Sequence, residues 1–234
     1  MSPHGQKSGA VSAGISRGDG ASGFTLIELL VVISIVAVIA GVLLPALNRA
    51  RESARTIHCS ARMRELGTAM ELYVDSGNRP FPRSQHSAAA HGEMTWGRVL
   101  ARHLGADEST WPLLLRSQYH CPSDRRTGQY SYGLNVYFEL GPDDDYEGKP
   151  ATWRYRTDLA RPSFTILFGE NASSADHIMP NFWTSPDDVP DLAHDRHRGA
   201  ANYVFADGHV EKRVRAGVYD PAQDVDAWHP LKAR

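Results

Sequence analysis

The chain has 234 residues and a formal net charge of −2, and this near-neutral balance gives no electrostatic footprint for a nucleic-acid partner. Twenty glycines and fourteen prolines argue for a loop-rich body and against an all-helical one. The two cysteines, Cys59 and Cys121, are an even number that allows one disulfide in an exported chain, with two inert thiols as the alternative.

Residues 1–23 are rich in Gly, Ser and Ala, with Lys7 and Arg17 set against Asp19, and they read as a processing leader. From Phe24 to about Leu47 the chain is apolar apart from Glu28. About 20 such residues cross the hydrocarbon core of a bilayer. A charge inside that run costs on the order of 2.5–3.5 kcal/mol, so Glu28 needs a partner or a purpose. A plain secretory signal is the weaker reading, because no small-x-small site closes the run. Arg49, Arg51 and Arg55 follow it, so counting positive charges alone leaves the orientation ambiguous.

The stretch Gly23-Phe24-Thr25-Leu26-Ile27-Glu28 resembles the prepilin motif of type IV pilins and type II secretion pseudopilins. The resemblance implies cleavage after Gly23 by a prepilin peptidase on the cytoplasmic side, followed by methylation of the new amino terminus at Phe24. It also implies that Glu28 neutralises the Phe24 amine of a neighbouring subunit, and that Pro45 kinks the helix. Paired charges are tolerable in an apolar medium where one alone is not.

Residues 48–76 continue the helical pattern. Leu47, Ala50, Ala54, Ile57, Ala61, Met63, Leu66, Ala69, Met70 and Tyr73 recur at threes and fours, and Arg and Glu fill most other positions. Ser76-Gly77-Asn78 and Pro80 stop the run. One helix from Phe24 to Asp75 would be about 78 Å long, with a membrane-spanning first half and a second half supporting a globular region.

Residues 77–234 make that region. A short helix is expected over Gly97–Leu104, an apolar packing segment at Trp111–Leu115, and a turn at Cys121-Pro122-Ser123-Asp124. Strands are expected over Gln129–Phe138, Thr165–Gly169, Ala201–Ala206 and His209–Arg215. Asp207-Gly208 between the last two is a hairpin signal, predicting positive φ at both residues. His197 followed after nine residues by Asp207-Gly208 resembles the H-x9-DG signature of a large group of prepilin-processed bacterial proteins. Cys59, Cys121-Pro122-Ser123-Asp124 and Tyr130-Ser131-Tyr132-Gly133-Leu134-Asn135 are similar to the same group. The fold implied is α+β and pilin-like, with the long helix packed on a small antiparallel sheet carrying loop-rich additions.

For a metal, His194, His197, Asp207 and His209 are a candidate zinc set. Asp143, Asp144, Asp145 and Glu147 form a candidate calcium loop without EF-hand order. The plainer readings are a turn aspartate, a histidine pinning a strand entry and a solvated loop, so no cofactor is required. The tryptophans are read as core or interface residues before any carbohydrate site. No G-x-S-x-G, H-E-x-x-H or phosphate loop occurs, and Glu170-Asn171 at a strand end offers no mechanism by itself, so an enzyme is not expected. The expectation is a structural subunit of the bacterial inner membrane with its globular region in the periplasm or on a filament. Its partners would be prepilin peptidase and sister subunits. The alternative is a membrane-tethered module that binds a ligand or metal without polymerising.

Overall fold

The computed structural model describes residues 24–140, 153–187 and 189–234. The leader with Gly23, and the acidic stretch 143–147 proposed for calcium, lie outside them. The chain divides into two compact units, one ending at Leu47 and the other running Asn48–Arg234.

Helix α1 covers Leu26–Asp75 and contains Pro45. It begins two residues later than the pattern suggests because Phe24 and Thr25 are outside it. Between Phe24 and Leu47 nearly every side chain is exposed. A helix that is apolar all round has no polar face to turn to water. It is long and apolar enough to cross a membrane.

Beyond Leu47 the helix buries one stripe: Cys59, Met63, Leu66, Gly67, Ala69, Met70 and Val74. The stripe is shifted from the expected one, since Ile57 is 70% exposed while Cys59 is fully buried. Gly77 and Asn78 take positive φ, and the Arg79 N–H returns to the Val74 carbonyl at 2.9 Å, which closes the helix end. Two short helices follow, α2 (Gln85–His91) and α3 (Trp96–Ala101). α3 runs into a 3₁₀ turn, Arg102–Leu104, so the expected Gly97–Leu104 helix changes hydrogen-bond type midway. Trp111–Arg116 is also 3₁₀, with Leu114 buried and Leu113 exposed.

The main sheet has five strands: β1 (Tyr132–Asn135), β2 (Ile166–Glu170), β3 (His177–Ile178), β4 (Ala201–Phe205) and β5 (Val210–Arg213). Their order is β3-β1-β2-β4-β5. All pairings are antiparallel except β1 with β3, so the sheet is mostly antiparallel. Sequence reading missed β3 and the small ribbon β6 (Tyr219–Asp220) with β7 (Val225–Asp226), because two-residue strands carry no periodicity.

Both faces of the sheet are covered. Val204, Phe168, Leu134 and Tyr132 join the α1 stripe in one core. Ala201, Tyr203, Phe205 and Ile166 join Trp183, Val218 and Trp228 in a second. Alternation along β4 sends neighbours to opposite faces, yet all five of its residues are buried. Four of the five tryptophans, Trp96, Trp153, Trp183 and Trp228, are buried.

The β4–β5 connection differs from the expected two-residue turn. Gly208 has φ +84° and Asp207 is not in the positive-φ region. The Gly208 N–H bonds the Phe205 carbonyl, and the Phe205 N–H bonds that of His209, both at 2.9 Å. The loop is therefore Ala206-Asp207-Gly208, a type I turn followed by a glycine bulge, which needs one positive φ rather than two. This tip packs closely on the helix. A Cβ on Gly67 would lie 2.8 Å from Val204 Cγ1, and one on Gly208 would lie 2.8 Å from the Glu71 carboxyl.

Candidate functional site

Two regions bring polar groups into apolar surroundings. The first is the start of α1. Glu28 Oε2 accepts from the Thr25 N–H at 2.9 Å and from the Thr25 hydroxyl at 2.8 Å, and the Thr25 Oγ1 accepts from the Glu28 N–H at 3.2 Å. This is a capping box, in which the threonine and the acid three residues on satisfy each other's orphan donors at a helix N-terminus. Both Thr25 bonds fall on Oε2, leaving Oε1 to accept a further donor. Phe24, immediately before the box, is 79% exposed.

The second region is a buried centre in the globular unit, where Cys59 of α1, Cys121, Glu170 at the end of β2 and His197 before β4 meet. Their donor atoms all lie within 4.8 Å of one another, and all four residues are fully buried. The Cys59 thiol donates to Glu170 Oε1 at 2.7 Å, and His197 Nε2 is 2.9 Å from the same oxygen and 3.5 Å from Cys121 Sγ. Both cysteines are free thiols.

Each of the four is also held from outside. Tyr132 Oη lies 3.4 Å from Cys59 Sγ, and the Ser123 N–H donates to Cys121 Sγ at 3.4 Å. The Asn202 N–H donates to Glu170 Oε2 at 3.1 Å. Thr56 Oγ1 is 3.1 Å from His197 Nδ1 and donates its own proton to the Glu52 carbonyl.

Burial, the hydrogen bond with Cys121 and the Glu170 charge push the Cys59 thiol well up. Hydrogen bonds from Cys59 and His197 outweigh burial at Cys121 and bring it down to about 7. Burial works to lower the His197 value, but its bonds to Cys121 and Glu170 prevail and raise it to about 9. An imidazole between a thiol and a carboxylate has the makings of a nucleophilic site. All four groups are sealed from solvent, so neither sulfur is presented at the protein surface.

A charged network lies beside it. Asp124 pairs with Arg126 at 2.6 Å and Arg196 at 3.1 Å, and accepts from the Ser131 hydroxyl at 2.8 Å. Arg196 also donates to the carbonyls of Ser131 and Asn171. Burial opposes the Asp124 charge, yet these donors hold its carboxyl down to about 2.

The candidate zinc set His194, His197, Asp207 and His209 does not come together. Among the described residues, His197 converges with the two cysteines and Glu170. Asp207 and His209 pair with each other on the hairpin tip, more than a third exposed, and His194 is half-buried apart from the group. The physical reason is the strand: β4 separates its two ends, carrying His197 inward and the Asp207-Gly208 turn out to the edge. From sequence Glu170 is noted only as a polar strand end without a mechanism, and Thr56 is not noted at all. A lone acid closing a buried apolar strand was the available signal, since such a group requires a partner.

The prokaryotic N-terminal methylation motif family matches residues 19–44. The chain is prepilin-type at its amino terminus. Over 58 residues it is 43% identical to the type IV wide pilus major component PilA4 of Thermus thermophilus. The aligned part covers 25% of this chain and 44% of that pilin, so the chain spans less than half the length of the curated relative it matches. No solved structure matches the chain significantly.

Proposed function

We propose that the protein is a pseudopilin-like or minor-pilin-like structural subunit of a secretion or pilus apparatus. Prepilin peptidase cuts it after Gly23 and methylates Phe24. The segment 24–47 holds it in the bacterial inner membrane with the globular region in the periplasm, and this same segment later assembles with sister subunits. The role is structural rather than catalytic.

The observation that carries this reading is the Thr25–Glu28 capping box at the head of an apolar, fully presented helix. Cleavage after Gly23 creates a positive amine at Phe24. Glu28 Oε1 is left to take an amine donor from a neighbouring chain while Oε2 keeps its own helix capped. The carboxylate thus serves one chain locally and a second across an interface, and the charge in the apolar run acquires its purpose.

Mass spectrometry of the mature chain tests the processing step: a terminus at methylated Phe24 is expected, and an intact leader rejects it. Replacement Glu28→Gln tests the assembly step. Processing should persist while co-purification with sister subunits is lost; undiminished association would favour the tethered, non-polymerising module instead.

A further inference from the structure

Cys59, Cys121, Glu170 and His197 point four lone-pair donors at one small volume, a polarity that core packing does not require. Cys59 Sγ and Glu170 Oε1 approach to 2.7 Å, closer than the roughly 2.9–3.0 Å of an ordinary N–H···O bond despite the size of sulfur. We infer that these residues form a structural zinc site whose ligands are Cys59 Sγ, Cys121 Sγ, Glu170 Oε1 and His197 Nε2.

The geometry fits a tetrahedral ion. Bonds of about 2.0–2.3 Å place tetrahedral ligands roughly 3.3–3.8 Å apart. The donors here span separations from 2.7 Å upward, all within 4.8 Å, so small side-chain shifts complete the shell. Two sulfurs and an imidazole select zinc over calcium or magnesium, which take shells of oxygen. Four protein ligands sealed from solvent make the closed coordination of a structural site.

The surrounding hydrogen bonds are those a metal shell needs. The Thr56 hydroxyl spends its proton on the Glu52 carbonyl, so towards His197 Nδ1 it is an acceptor. With an ion in place the ring would keep its proton on Nδ1 and give up the one that Nε2 shares with Glu170 Oε1, the outer-partner logic of metal-bound histidines. Asn202 engages the outward Glu170 oxygen, leaving Oε1 directed inward. The Ser123 N–H supports the Cys121 sulfur. Ser123 and Glu52 also border an open cleft of about 560 Å³ on the outer side of this shell. The ligands come from α1, the Cys121 turn, the β2 end and the segment before β4, so one ion would cross-link the helix to the sheet. On this reading His197 of the H-x9-DG signature is a ligand, and Asp207-Gly208 is the turn that seats its hairpin on the helix.

The full chain, purified in detergent without chelator or a metal-affinity column, provides the test. Plasma mass spectrometry should find about one zinc per chain, and denaturation with EDTA should release both thiols. Cobalt replacing the zinc should give thiolate charge-transfer absorption with d–d bands of tetrahedral intensity. Cys59→Ser and Cys121→Ser should each lose the metal, whereas Thr56→Val should keep the spectrum and weaken affinity about 10–100-fold. A chain that takes up neither zinc nor cobalt overturns the inference, as does an isolated chain with Cys59 and Cys121 joined in a disulfide. Full occupancy retained in both serine variants also overturns it. Should those variants fail to fold, the cobalt spectrum of the unaltered chain decides, because the charge-transfer and tetrahedral bands together require thiolate ligation.

Discussion

Residues 24–47 and residues 48–234 each hold a carboxylate among apolar side chains, and they settle it over very different distances. Glu28 takes its bonds from Thr25, three positions away, on an exposed helix. Glu170 is fully buried and takes its bonds from Cys59, His197 and Asn202, which lie 111, 27 and 32 positions away. Local satisfaction leaves a carboxylate free to engage a second molecule. Long-range satisfaction commits it to the fold, because moving any one segment strips its partners.

The contrast is broken most severely at Glu170. Replacement by Ala removes the acceptor shared by Cys59 and His197 and leaves the imidazole buried without its partner, a class of change that costs about 3–5 kcal/mol. The five tryptophans lie between positions 96 and 228, so denaturant unfolding followed by tryptophan fluorescence reports this unit. The midpoint should fall steeply in Glu170→Ala. In Glu28→Ala it should stay within about 0.5 kcal/mol of the parent, as for surface changes remote from the core.

The same difference in range decides what could be read from the sequence. The start of α1 was legible because a cap, an acid and an apolar run are neighbours in the chain. The helix stripe was legible in period but not in phase: the expected pattern included Ile57, which is exposed, and omitted Cys59 and Gly67, which are buried. Gly67 looks weak in a helix until the hairpin is placed against it, and only then does the missing Cβ become a fit to Val204 and Gly208. The strands were found within a few residues, because β-branched and aromatic residues cluster there. β3 and the β6–β7 ribbon were not, since they depend on pairing alone. At the buried centre, His197 and the cysteines could be named separately, but their meeting with Glu170 needed the sheet order that places the β2 end beside β4.

A smaller effect separates the two regions by pH. The Asp124 carboxyl, held down to about 2 from an ordinary 3.8, belongs wholly to the globular unit. A depressed folded-state value contributes stability that is complete above the ordinary value and is lost as pH falls towards 2. Asp124→Asn should therefore cost about 1–3 kcal/mol at neutral pH, through the loss of charge-assisted bonds from Arg126 and Arg196. It should also flatten the acid limb of the unfolding midpoint between pH 4 and 2. An unchanged acid limb would show that the loss of stability comes from other carboxylates.

The most local effect is expected at the cap. Thr25→Ala removes the hydroxyl that donates to Glu28 and accepts from its N–H, a change worth about 1 kcal/mol at a helix N-terminus. Amide hydrogen exchange should quicken over the first turn of α1, residues 26–29, and nowhere in 48–234. Its value lies in what it does to Glu28. With the hydroxyl removed and the carboxylate retained, still held by the residue 25 N–H, the charge stands ready for an amine on another chain, so association with sister subunits should survive in Thr25→Ala while failing in Glu28→Gln. If both variants lose association equally, the cap itself is what assembly requires, and the carboxylate acts by ordering its own helix rather than by pairing with a neighbour.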